Sequence, residues 1–189
     1  MLVARAMAEC HMYMDLHPCE RCGEPYFPWT VHEAAERHGQ RISSYEGDCP
    51  ACGTRRRFEF VVLDPNLPPP ALGGPEPSTI IDPGEFYELG ESAAEATKLP
   101  GGASPEQVGD AWDAAGDAAA ATEEILKFLP PGAAAVPVEA FTSERGRAVR
   151  TADPSRFGRE RLELTLAERR RVLVELTRLV EQYDEDAGP

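Results

Sequence analysis

No stretch of this chain approaches the ~20 consecutive apolar residues that a membrane-spanning helix needs. The N-terminus, Met1 to Glu9, is interrupted by Arg5 and Glu9 before any apolar run reaches signal-peptide length. A soluble, cytoplasmic protein is therefore expected. The chain also lacks a Gly-x-Gly-x-x-Gly, a phosphate loop with its lysine, and a Gly-x-Ser-x-Gly elbow, which removes the usual grounds for proposing a nucleotide enzyme or a hydrolase. No internal repeat of fixed period is present. Positive charge is scarce where it would matter most. Residues 64–140 carry only Lys98 and Lys127 against 14 acidic side chains, while residues 1–63 are close to balanced at −2 and residues 141–189 sum to zero. Nearly all of the net charge of −14 thus lies in the middle third. Such a field repels nucleic acid and anionic lipid and favours a basic protein partner; it equally suits a solvated helical surface.

Cysteine is sparse but ordered. Of five, Cys10 stands alone, and the others form two Cys-x-x-Cys-Gly units, Cys19 to Gly23 and Cys49 to Gly53, with 26 residues between Cys22 and Cys49. This is the arithmetic of a metal site with one spare thiol, and it fits a reducing compartment better than a disulfide framework does. Each unit is expected to form a tight turn aiming two sulfurs at a common point, with the glycine letting backbone amides approach the thiolates. Cys19, Cys22, Cys49 and Cys52 would fill a tetrahedral sphere and leave no place for water or substrate, so the site reads as structural, with one Zn2+ as cofactor. His17 is the nearest alternative ligand. Cys10, on the apolar face of a predicted N-terminal helix, reads as a small buried hydrophobe.

Around these units the apolar pattern predicts a helix over 2–13, a strand from His11 to His17, alternation over Tyr26 to His32, a turn or short helix over Glu33 to Gly39, and strands over 41–47 and 57–63. Two knuckles, a hairpin between them and a β-rich exit resemble the zinc-ribbon group over the first third of the chain. The resemblance implies a small three-stranded sheet pinned by zinc. The run Cys22-Gly23-Glu24-Pro25-Tyr26 is also similar to rubredoxin, which implies a single iron and electron transfer as a third reading; Ser44 to Asp48 stands where rubredoxins usually carry an acidic, aromatic approach to the second knuckle.

Six prolines between Asp64 and Ser78 predict a stiff connector, or a strap over the first module. The expected organisation is α+β: a zinc-ribbon module at 1–63, a Pro-rich connector at 64–80 and an acidic helical module at 81–189. Asp82-Pro83-Gly84-Glu85 and Ser104-Pro105-Glu106 are helix starts, predicting helices from 83 to about 98 and from 105 to about 129. Asp110, Asp113, Asp117, Glu123 and Glu124 are expected to face outward from the second of them. The signals weaken from Val138 to Leu164. Thr165-x-x-Glu168 resembles a capping box, predicting a last helix from there with an apolar stripe of Val172, Leu176, Leu179, Val180 and Tyr183, ending before a frayed tail at Asp184.

Arg55, Arg56 and Arg57 follow the second knuckle directly. They predict either contacts to phosphates or ion pairs within the chain or to a partner. His11, His17, His32 and His38 all fall in the first module, but no serine or acid stands at motif spacing to make a nucleophile system with them. The leading expectation is a non-catalytic adaptor, assembly factor or inhibitor with an acidic surface for a basic protein. The alternative is a nucleic-acid-binding regulator using Arg55 to Arg57.

Overall fold

The computed structural model describes residues 1–67 and 72–187, and the chain divides into two compact units, Met1–Ile81 and Asp82–Pro189. The fold is α+β. The first unit holds a four-stranded sheet and one helix: β1 Leu2–Ala6, α1 Met7–Leu16, β2 Val31–Arg37, β3 Gln40–Asp48 and β4 Arg55–Asp64. Strand order is β1-β4-β3-β2, antiparallel except for β1, which runs parallel to β4 with Leu2 beside Phe60 and Ala4 beside Val62.

This corrects the three-stranded expectation. Apolar residues at 2, 3, 6 and 7 fit a helical period, but Ala4 and Ala6 are small enough to lie flat against β4 and are fully buried there, so backbone pairing wins over the first turn of helix. The helix begins only at Met7 and extends to Leu16, through the segment expected as a strand. The turn expected at 33–39 is mostly strand β2. The reversal is confined to His38 and Gly39, whose φ values of 53° and 75° make the two-residue turn that joins strands of right-handed twist.

Both faces of the sheet bury apolar side chains, the Ile42–Val61 pair on one and a larger cluster on the other. Ala4, Tyr45, Phe60 and Val62 point to that side and pack with Cys10 and Met14 of α1 and with Phe27 from the segment after the first knuckle. Arg5 leaves β1 on the opposite face. Its guanidinium is buried, donates to Glu9 through Nη2 at 2.7 Å and Nε at 3.0 Å, and reaches the Glu76 carbonyl through Nη1 at 2.6 Å. Thr79 Oγ1 donates to the Val3 carbonyl and Ile80 packs on the core, so residues 72–81 belong to this unit as a strap along β1. Pro68, Pro69, Pro70 and Ala71 of the expected connector lie outside the described residues.

The second unit is helical: α2 Pro83–Ala96, α3 Pro105–Lys127, α4 Glu144–Ala152 and α5 Arg159–Ala187, with 3₁₀ turns at Val138–Ala140 and Pro154–Phe157. Asp82 caps α2 by accepting from the Gly84 and Glu85 amides, and Glu85 accepts the Asp82 amide in return. The same Asp82 carboxylate accepts from both the amide and the hydroxyl of Ser143, each at 2.8 Å, and Ser143 caps α4 through the Gly146 amide. One buried carboxylate thus holds two helix starts. Ser104 and Gln107 form a second capping box at α3.

Six of the ten buried residues of α3 are alanine (Ala111, Ala115 and Ala118 to Ala121), which lets α5 approach closely enough for Ala111 and Ala115 to meet Leu176. Arg169 of α5 crosses this seam, donating to the Ala118 carbonyl, to Thr122 Oγ1 at 2.6 Å and to Glu91 of α2 at 2.5 Å. A Cβ on Gly90 would lie 2.4 Å from its Nη1, so a side chain at that crossing would displace the guanidinium.

Two expectations fail here. Helix α5 starts at Arg159, not at Thr165, because Leu162 and Leu166 are themselves buried and extend the apolar stripe by a turn and a half; Thr and Glu three apart also occur inside helices. It continues to Ala187 rather than fraying from Asp184. Glu124 does not face outward either. It is 2 % exposed, with its carboxylate 2.5 Å from Lys127 Nζ.

Candidate metal centre

The two knuckles are built alike. At each, a glycine in the left-handed region, Gly23 at φ 77° and Gly53 at φ 69°, donates its amide to the carbonyl of the first cysteine at 2.8 Å. At each, the amide of that first cysteine donates to a carbonyl five residues on: Cys19 to Glu24 at 2.8 Å and Cys49 to Thr54 at 2.9 Å. A side chain on Gly23 or Gly53 would meet nothing, so the requirement there is conformational rather than steric. The second knuckle is also the turn between β3 and β4, which places Asp48 directly opposite Arg55.

This geometry brings the four sulfurs together. Cys19 Sγ is 3.7 Å from Cys52 Sγ and Cys22 Sγ is 3.5 Å from Cys49 Sγ, and all four lie within 4.8 Å of one another. Those separations exclude disulfides at ~2.05 Å. They are close to the ~3.8 Å edge of a tetrahedron with metal–sulfur bonds of ~2.3 Å. The four cysteines can hold a metal ion. The Thr54 hydroxyl and backbone amide beside Cys52 bring its thiol down to about 6. At Cys22 the Glu24 amide pulls the thiol down, but the neighbouring sulfurs, Cys52 foremost, together leave it raised to about 12.

His17 does not join the sulfurs. Its ring stacks on Tyr13 at 3.7 Å, with Nδ1 2.7 Å from the Tyr13 carbonyl. Of the other histidines, His11 and His32 both meet Tyr45. His32 lies flat on Tyr45 at 4.6 Å with Nε2 2.7 Å from Ser43 Oγ, His11 meets Tyr45 edge-on, and His38 occupies the β2–β3 turn. Burial lowers the His11 pKa, with Asp15 opposing. Cys10 is fully buried, and desolvation, reinforced by Glu9, pushes its thiol up to about 12.

The three arginines after the second knuckle alternate across β4. Arg55 pairs with Glu46 at 2.6 Å and with Asp48, and Arg57 pairs with Glu46 and Glu59. Arg56 points the other way. It is 7 % exposed, lies over the rings of Phe27 at 4.4 Å and Phe58 at 5.4 Å, and donates to the carbonyls of His17 and Tyr26. Arg56 therefore ties both flanks of the first knuckle to β4, a positioning role that residue type alone did not reveal.

In the second unit, Glu106, Asp110, Asp113 and Asp117 are all exposed and spaced 4, 3 and 4 residues apart, so they form one stripe along α3. None of the four makes an ion pair among the described residues. Although Asp117 is exposed at the surface, partial desolvation of its carboxyl, with the Asp113 charge adding to it, raises its pKa. No protein-family model, curated protein or solved structure matches the chain. No helix among the described residues is long and apolar enough to cross a membrane.

Proposed function

We propose that this is a non-catalytic interaction protein, in which a structural zinc ion bound by Cys19, Cys22, Cys49 and Cys52 stiffens the first unit and the acidic stripe of α3 docks a basic protein. Zinc is favoured by an all-sulfur donor set at tetrahedral spacing, and a closed four-thiolate sphere has a folding role rather than a chemical one. The observation that carries the interaction reading is the stripe itself. Four exposed carboxylates in register, without an ion pair among the described residues, concentrate negative charge that a row of lysines or arginines would complement.

The test has two arms. Elemental analysis of the purified chain is expected to find one zinc per molecule in a colourless sample; a red, iron-loaded sample would replace the zinc reading with the rubredoxin-like one. A co-purifying partner is expected to bind more weakly as salt rises, and more weakly again to the Asp110→Asn/Asp113→Asn/Asp117→Asn variant. Affinity unmoved by both salt and the triple substitution would end the electrostatic reading. Nucleic-acid binding has less support, because Arg55 to Arg57 are engaged within the unit. A low-salt shift of labelled single strands by the full chain, abolished by Arg57→Ala, would restore it.

A further inference from the structure

The sheet ends in an open edge. All seven residues of β2, Val31 to Arg37, are exposed, whereas at the other edge the strap reaches β1 through Thr79. The direction of the free backbone groups follows from the turn. In a two-residue hairpin of this φ signature the flanking pair, Arg37 and Gln40, exchanges both hydrogen bonds, and bonded residues alternate from there. Arg37, Ala35 and Glu33 are therefore turned toward β3. His32, Ala34 and Glu36 present their amides and carbonyls to solvent.

We propose that this edge pairs antiparallel with β2 of a second copy of the chain, about a two-fold axis through Ala34, forming one continuous eight-stranded sheet. Three independent features agree on that register. First, it places Ala34 opposite its own copy and His32 opposite Glu36 of the partner copy. All three of these residues turn backbone groups outward, so every outward amide and carbonyl over the three positions finds a partner. Second, the side chains are self-complementary. On one face His32 meets Glu36 twice, by symmetry, with only the small Ala34 pair between them. On the other face Glu33 lies diagonal to Arg37 of the partner copy, again twice, and also to its own copy, so the two glutamates sit between two arginines within reach of long side chains. Third, a shift of one residue would set outward-facing groups against inward-facing ones, so the pairing cannot slip by a single step. The charges that would ordinarily discourage edge pairing thus select one partner, an identical strand.

Sedimentation of the metal-loaded full chain from ~1 µM to ~1 mM tests this. The wild-type chain is expected to show a monomer–dimer equilibrium. Ala34→Pro removes an outward amide that β3 does not use and is expected to abolish it. The decisive variants are Glu33→Arg and Arg37→Glu. Each alone sets like charges diagonal across the axis and is expected to weaken self-association about tenfold or more, while an equimolar mixture of the two regains opposite charges at both contacts and recovers association as a heterodimer. A fold defect would not be repaired by mixing, so the rescue separates pairing from structure. A wild-type chain that stays monomeric at ~1 mM, or a mixture that associates no better than its components, overturns the proposal.

Discussion

Removing the metal is expected to unfold the first unit and leave the second standing. Single domains keep roughly 0.05–0.15 kcal/mol of net stability per residue, which for Met1–Ile81 is about 4–12 kcal/mol. A small structural four-thiolate site contributes an apparent ~10–16 kcal/mol at neutral pH. The site therefore equals or exceeds the whole margin of the unit, and the structure shows why so much of the unit depends on it. The knuckles turn β3 into β4 and hold the segment carrying Phe27, whose ring belongs to the core and lies under Arg56. The second unit contributes no side chain to the sulfur cluster and has its own seam of Ala111, Ala115 and Leu176. The two tryptophans give one reporter per unit, Trp29 and Trp112. In a Trp112→Phe chain, chelation or Cys49→Ser should collapse the Trp29 signal and expose all five thiols to a thiol reagent. In a Trp29→Phe chain, the Trp112 melting curve should stay within a few degrees of the metal-loaded one. A chelated chain that keeps its Trp29 signal and protects its thiols would refute the reasoning, because the core of Phe60, Val62 and Met14 would then suffice alone.

Cys10, raised from 9.0 to about 12, stays protonated in the fold while the unfolded chain ionises; stability of the first unit should thus fall as pH rises above ~9, by at most about 1.4 kcal/mol per pH unit, and Cys10→Ala should flatten that fall in denaturant titrations at pH 8 and 10. Glu9→Gln removes the buried carboxylate that accepts from Arg5 and is expected to cost about 3–5 kcal/mol of first-unit stability, read from the Trp29 denaturant midpoint. Asp82→Ala removes the acceptor of four hydrogen bonds at two helix starts and should cost the second unit about 2–4 kcal/mol, with Asp82→Asn recovering part; a loss under ~1 kcal/mol would show that α4 does not depend on it. At Asp117 the folded pKa is raised, so its ionisation lowers stability as pH rises through the carboxylate range, and Asp117→Asn should stabilise the second unit at pH 7 by a few tenths of a kcal/mol, as removing a like-charge pair four residues apart does, while weakening a basic partner.

The elements most legible in the sequence are those specified by neighbours along the chain. Asp82-Pro83 and Ser104-Pro105 start α2 and α3 because a cap and a proline act within one turn. Thr165-x-x-Glu168 misled for the complementary reason: the true start depends on Leu162 and Leu166 finding a buried surface on other elements, which no four-residue pattern reports. The β1 strand was hidden by the same kind of ambiguity. Its five residues satisfy a helical and an extended period about equally, and only the availability of a parallel edge on β4 decides between them.

The clustering of the four cysteines was legible because a knuckle is local, and what followed from it was nearly so. Once Cys49 to Gly53 is taken as the turn of a hairpin, Asp48 must face Arg55 and Glu46 must face Arg57, since antiparallel partners step apart one residue at a time. Alternation then forces Arg56 to the other face, beside Phe58 and Phe60, where a guanidinium is tolerable only over aromatic rings and with carbonyls to receive its protons. A row of three arginines that resembles a basic patch in one dimension is therefore neutralised by the register that the second knuckle imposes. A row of acidic side chains without ion pairs among the described residues lies instead on α3, at a spacing that only a helix aligns.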